Sequence, residues 1–323
     1  MEPPSGFYDE ARFGKNSSTV WISSICVILT TLYCITGAFS GIVASINGFM
    51  GGVWNPDYFN QGSPDVWKYY WSVFYDWIPS SVLGLIGLYF VQTKLRQRPF
   101  LKLLTSAKKF RFKRLFAAAG LFLILKIIAI FIQSLYLGNA DVPVWSDPQA
   151  IPGFQIERTN LPVLVFCIIA PFLLVLLVLQ AVFQEALFRG FIDQGLTYRF
   201  KQTLPAFIVS AALFSLWHIW NYETYYGATA FFIGLFITAF AMSIISANDE
   251  GLEAAIGIQI IWNIMGNLGI GTTIITLPTT TLWTWGEPKF NAASVFENLA
   301  LCLAAIFILK FWKQGLSLKD GGK

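Results

Sequence analysis

Glu185 and Arg189 stand four residues apart in Leu179-Gln180-Ala181-Val182-Phe183-Gln184-Glu185-Ala186-Leu187-Phe188-Arg189-Gly190, after an uncharged run from Leu161 to Phe183. On a helix that spacing puts both side chains on one face, where they can pair. An ionisable residue in a membrane helix costs about 2.5–3.5 kcal/mol at mid-depth on insertion scales, so a pair there reads as a functional site by default. The plainer reading is an interfacial arginine snorkelling beside a glutamate. Two further stretches carry related chemistry. Phe214-Ser215-Leu216-Trp217-His218 puts the single histidine at the end of an apolar helix, and Gln259 and Asn263 put two amides four residues apart on another. Peptide hydrolysis needs a base that holds a proton and donors aimed at developing negative charge. Structural readings stand beside that one. His218 could simply bond a neighbouring carbonyl, and the stripe Gln259, Asn263 and Asn267 also suits interhelical hydrogen bonding. Trp217, Trp220 and Trp262 read as packing and interface anchors.

In order, spacing and flanks the three stretches resemble the CPBP family, the CAAX proteases and bacteriocin-processing enzymes also called abortive-infection proteins. That family carries Glu-Glu-x-x-x-Arg, Phe-x-x-x-His and His-x-x-x-Asn on separate membrane helices. Here the three read Gln184-Glu185-x-x-x-Arg189, Phe214-x-x-x-His218 and Gln259-x-x-x-Asn263, with the flanks Phe188-Arg189-Gly190 and Gly251-Leu252-Glu253-Ala254-Ala255-Ile256-Gly257. The resemblance covers residues 160–270 and implies an intramembrane glutamic endopeptidase fold acting on membrane-embedded or prenylated peptides. It implies that the positions of Gln184 and His218 activate a water, and that those of Gln259 and Asn263 steady the oxyanion. Glu185 and Arg189 would hold the motif helix in place.

Two of these positions hold glutamine, with unequal consequences. Gln259 keeps N–H donors; losing one oxyanion donor costs about 10²–10³-fold in rate. Gln184 has no titratable group, and losing a general base costs about 10²–10⁴-fold. The resemblance therefore implies a protein with the endopeptidase fold whose own hydrolysis is weak or lost, binding membrane peptides or partner proteins in the inherited cavity. One alternative is an active protease using Glu185 and His218. Another is a transporter or channel lined by the amide stripe, which lacks the internal repeats of most carriers.

These residues need a scaffold, and composition says which kind. Of the 323 residues, 55% are hydrophobic and 12% charged, and mean hydropathy is +0.59. That is an all-α polytopic membrane helix bundle, with about eight transmembrane helices and a CAAX-protease-like core. Apolar runs place the spans at 19–46, 69–92, 115–137, 161–198 (bent at Pro171), 204–220, 228–247, 252–275 and 293–312. The chain divides into a cytoplasmic N-terminal tail, 1–18, polar and disordered or on the surface, and an N-terminal membrane region, 19–160. A core, 161–275, carries the motif helices, and 276–323 hold an external loop, the last span and a cytoplasmic tail.

Residues 94–114 hold nine lysines and arginines and no acid, interleaved with Phe and Leu. They suit a segment lying on an anionic inner leaflet, or a plain positive-inside determinant. Eighteen of the 22 Lys and Arg residues fall on the proposed cytoplasmic side, three fall outside, and Lys126 lies mid-span, where it requires a polar partner. Both termini are therefore expected in the cytoplasm of a plasma-membrane protein. The start Met1-Glu2-Pro3-Pro4-Ser5-Gly6 has no basic n-region, so no cleaved signal is expected. Gly37-x-x-x-Gly41 is a weak close-packing signal, Trp67 to Trp77 an interfacial belt, and Asp76 structural. Cys26, Cys34, Cys167 and Cys302 lie in apolar runs and read as buried, inert thiols, with no metal or cofactor implied. A net charge of +4 carries no hint of nucleic acid, leaving membrane lipids and membrane peptides or proteins as partners.

Overall fold

The computed structural model describes residues 6–35, 38, 79–137, 157–158, 163–219, 227–272, 283–285 and 292–320. Gly37, Gly41, the Trp67–Trp77 belt and Asp76 lie outside the described residues. A 3-10 helix, Phe7–Arg12, comes first. Helix α1 (Ser18–Leu29) follows, extended in wider π geometry by Thr30–Ile35. Helix α2 (Gly84–Phe90) is flanked by π turns Pro79–Leu83 and Val91–Leu95, and α3 is the short Leu101–Leu104. Then come α4 (Phe112–Leu137), α5 (Val163–Glu185), α6 (Gln194–Phe200) and α7 (Thr203–Trp217). The last are α8 (Ala228–Asp249), α9 (Glu253–Ile264) and α10 (Ala292–Asp320).

This is a helical membrane bundle, and its surface says why. Phe172 is 73% exposed, Leu164 72% and Phe116 68%, an apolar exterior that water would penalise and lipid accepts. Small residues such as Ala118, Ala181, Ala186, Ala211, Ala239 and Ala255 lie in the interior among larger side chains such as Phe183, Phe188 and Leu177. That distribution lets helices approach closely when lipid tails are as apolar as any side chain. Gly257 is one such place: a Cβ there would collide with the Leu115 carbonyl, so α9 can lie on α4 only without one. Among the described residues, Ala170–Phe200 and Ala228–Asp249 are long and apolar enough to cross a membrane. Ser18–Leu32, Ser81–Leu95 and Thr203–Trp217 are shorter apolar helices. The helix continues through Pro171, which removes one backbone bond of a kind membrane helices tolerate.

Several expectations change. The helical bundle stands as expected, and beside it Glu157–Arg158 (β1), Ile270–Thr272 (β2) and Trp283–Trp285 (β3) form a small sheet ordered β1-β3-β2 that the sequence did not suggest. β3 pairs antiparallel with β1 and parallel with β2. The expected span 252–275 therefore stops being helical at Gly269, where the chain turns into a ladder. The N-terminal segment is not a surface tail either. Phe7, Tyr8 and Ala11 are buried, with the Tyr8 ring 5.3 Å from Phe207 and its hydroxyl donating to the Ser243 carbonyl at 3.3 Å. Burial, with Asp193 nearby, pushes the Tyr8 phenol well above its ordinary range, so it keeps its proton. Cys26 and Cys167 are exposed rather than buried, whereas Cys302 is buried as expected.

The basic segment does not simply lie along a surface. Arg111 makes a two-pronged pair with Glu253 at 2.9 and 2.7 Å and donates to the Asp249 carbonyl at 2.8 Å. Arg114 pairs with Asp249, and Lys102 with Glu10 at 2.8 Å. Only some of the nine cations, Lys94, Lys108, Lys109 and Lys113 among them, face outward. Lys126 has its partner: Glu297 on α10 at 3.2 Å, with the Trp262 ring centroid 4.4 Å away.

Candidate functional site

Helix α5 ends at Glu185, and the same continuous helix widens to π geometry over Ala186–Asp193 before resuming as α6. Such widening is uncommon and recurs at functional sites, because it re-aims side chains within one helix. Two clusters form around it. In the first, Arg189 Nη1 donates to Glu185 Oε1 at 3.0 Å, and Nη2 donates to the Ala239 carbonyl of α8 at 3.0 Å. Both side chains are buried, and the guanidinium lies 4.7 Å from the Phe214 ring centroid. The pair thus ties the motif helix to α7 and α8. Glu185 Oε2 and Arg189 Nε have no hydrogen-bond partner among the described residues.

The second cluster is a chain of neutral amides between α5 and α9. Gln259 Nε2 donates to Gln184 Oε1 at 3.4 Å and to Asn263 Oδ1 at 3.0 Å. Asn263 Nδ2 donates to Gln180 Oε1 at 3.4 Å and to the Leu177 carbonyl at 3.5 Å. An amide nitrogen carries two hydrogens. The donors of Gln259 and Asn263 are therefore engaged within the protein. His218 belongs to neither amide chain. Its Nδ1 lies 2.8 Å from the Phe214 carbonyl and its ring 4.8 Å from the Phe214 ring. Among the described residues it makes no hydrogen bond to Gln184 or Gln259. It neighbours the first cluster through Phe214, which sits under Arg189.

The structure thus joins Gln184 with Gln259 and Asn263, joins Glu185 with Arg189, and sets His218 beside the latter pair. Two residues enter that the motifs did not single out. Gln180 is one helical turn before Gln184, and its polarity inside an apolar run was the available signal. Asp193 is fully buried at the end of the π segment, four residues beyond Arg189. Ser210 and Ser243 flank it but donate to the Phe188 and Ala239 carbonyls, at 3.2 and 3.3 Å. Trp217 packs on Phe188 and Trp262 stacks on Phe122, each with centroids 6.0 Å apart, in keeping with packing roles. Among the described residues, no group of three or more His, Cys, Asp or Glu is placed to hold a metal.

Residues 164–265 match the family model of the type II CAAX prenyl endopeptidases described as Rce1-like. The chain carries an Rce1-like domain. The matched stretch runs from α5 to the end of α9 and includes Gln184, Glu185, Arg189, His218, Gln259 and Asn263. It also includes the flank 251–257, whose local work is visible. Glu253 anchors Arg111, and Leu252 N–H donates to the Leu104 carbonyl at 2.7 Å, so the Rce1-like domain is pinned to the basic segment before it. No curated protein matches the chain.

Proposed function

We propose that this protein uses the Rce1-like domain to bind membrane-embedded or prenylated peptides or partner proteins, with its own peptide hydrolysis weak or lost. One observation carries the reading. At the position expected to hold the general base, Gln184 is an amide whose oxygen is taken by Gln259. An amide cannot accept the proton of an attacking water at any accessible pH. His218 makes no hydrogen bond to Gln184 among the described residues, and Glu185 is committed through Oε1 to Arg189. The name of the matched family supplies the substrate class, a prenylated CAAX-type peptide. The positive-inside count supports an orientation with both termini in the cytoplasm.

The test is cleavage of a prenylated or transmembrane peptide by the purified protein in liposomes, scored by mass spectrometry. The unaltered chain is expected at background and Gln184→Glu above it. A second reading, an active protease, has one observation in its favour: Glu185 Oε2 has no hydrogen-bond partner among the described residues and could take a proton. Robust cleavage by the unaltered chain, abolished by Glu185→Gln and by His218→Ala, would establish that reading and overturn ours.

A further inference from the structure

Beyond the peptide site, two arginines are buried side by side with no salt bridge to an acid among the described residues. Arg96 is 1% exposed and Arg98 3%. Arg96 Nη2 donates to Asn16 Oδ1 at 3.0 Å, but its Nε and Nη1, and all three nitrogens of Arg98, have no hydrogen-bond partner among the described residues. Gln92, one turn earlier and fully buried, also has both amide atoms unpartnered. The field of Glu10 reaches Arg98, yet that carboxylate is already held by Lys102 Nζ at 2.8 Å. Burial, with Arg98 beside it, draws Arg96 down to about 9, and burial draws Arg98 to about 10. Both therefore remain cationic at neutral pH. Water could satisfy the loose N–H groups but could not offset two adjacent positive charges in a desolvated site.

The chain builds a cover over this pair. Lys15 N–H donates to the Arg96 carbonyl at 2.9 Å, and Gly14 sits at φ +80, where a side chain would run into the Arg96 carbonyl and the Arg98 stem. The Arg96 guanidinium lies 5.3 Å from the Phe191 ring centroid and 5.8 Å from that of Trp21. The site follows the apolar helix Ser81–Leu95 by one residue, where a bilayer presents its headgroups. We propose that Arg96 and Arg98, with Gln92, form a binding site for a phosphate group, enclosed by the Gly14–Asn16 segment. Planar guanidinium forks present paired N–H donors that match phosphate oxygens. A lipid headgroup and a free phosphate share this chemistry.

The experiment uses the full chain, stripped of lipid in detergent, with Tm as the readout. One arm compares inorganic phosphate with chloride at equal ionic strength; the other compares phosphatidylglycerol with phosphatidylcholine in mixed micelles. A ligand bound only by the folded state raises Tm. A rise with phosphatidylglycerol alone assigns the site to a headgroup, and a rise with inorganic phosphate assigns it to a soluble phosphate. Arg98→Gln should abolish the rise, and should fold at least as well without ligand, because it removes one of two adjacent like charges. Lys108→Gln, an exposed charge in the same segment, should keep the rise. Should Arg98→Gln fail to fold, Arg96→Lys decides: retention of phosphatidylglycerol or phosphate in native mass spectra should fall about tenfold as the fork is lost. No rise in either arm, an equal rise in Arg98→Gln, or unchanged retention by Arg96→Lys overturns the proposal.

Discussion

Glu185 and Arg189 share one face of the motif helix, and each would be an uncompensated charge without the other. Removing one partner of a buried pair costs about 3–5 kcal/mol. Arg189 also holds the Ala239 carbonyl and covers the Phe214 ring, so its loss would loosen three helices at once. Arg189→Ala is expected to lower Tm markedly in detergent, and a wild-type melting curve would mean the pair is solvated. The two glutamines separate at the same scale. On the proposed reading Gln184→Glu adds a proton acceptor at the expected base position, whereas Gln259→His exchanges one donor for another. Adding Gln259→His to Gln184→Glu should raise peptide cleavage by a smaller factor than the first change did. A larger second step would show that the donors, rather than the base, limit turnover.

Between elements, the bundle is tied by charges that cross from one helix to the next. Lys126 of α4 meets Glu297 of α10 inside the apolar bundle, and Trp262 of α9 covers the ammonium. Breaking a buried pair on one side leaves a stranded charge, whereas replacing both partners with apolar groups of similar size is often neutral or stabilising. Glu297→Ala alone is therefore expected to melt earlier than the double variant Lys126→Met/Glu297→Leu. The reverse ranking would show that the pair contributes attraction beyond its own desolvation cost. Arg111 and Arg114 act comparably at the other end of α4, where Asp249 and Glu253 collect them. The start of α4 is thereby fixed against the α8–α9 turn, and α9 is positioned to present Gln259 and Asn263 to α5.

At the scale of the molecule, the apolar exterior matches a bilayer, and the charge asymmetry gives an expectation for its orientation. We expect the basic segment and both termini on the cytoplasmic side and residue 287 outside. In a variant with the four native cysteines replaced, Lys108→Cys should resist a membrane-impermeant thiol reagent applied from outside, and Glu287→Cys should react. The opposite pattern would overturn the eight-span arrangement. Lys108 is exposed in the fold, so protection there reports the membrane and not burial.

What the sequence by itself determined is local. Four-residue spacing places Glu185 with Arg189 and Gln259 with Asn263 on common helix faces, and an apolar run long enough to span a bilayer is visible as such. A mid-span lysine demands a partner by energetics alone, but its identity, 171 residues away, required the packed bundle. So did the contact of Gln259 with Gln184, 75 residues apart, and the enlistment of Gln180 as an acceptor. Residues 7–11 look polar enough for a free tail, yet Phe7 and Tyr8 dock because α6 and α7 leave them a place. The partners of the basic segment were hidden for a related reason: its own composition has no acid, and Glu10, Asp249 and Glu253 come from elsewhere in the chain. Helical period is written in neighbouring residues, whereas the choice of a distant partner belongs to packing, which only the tertiary structure decides.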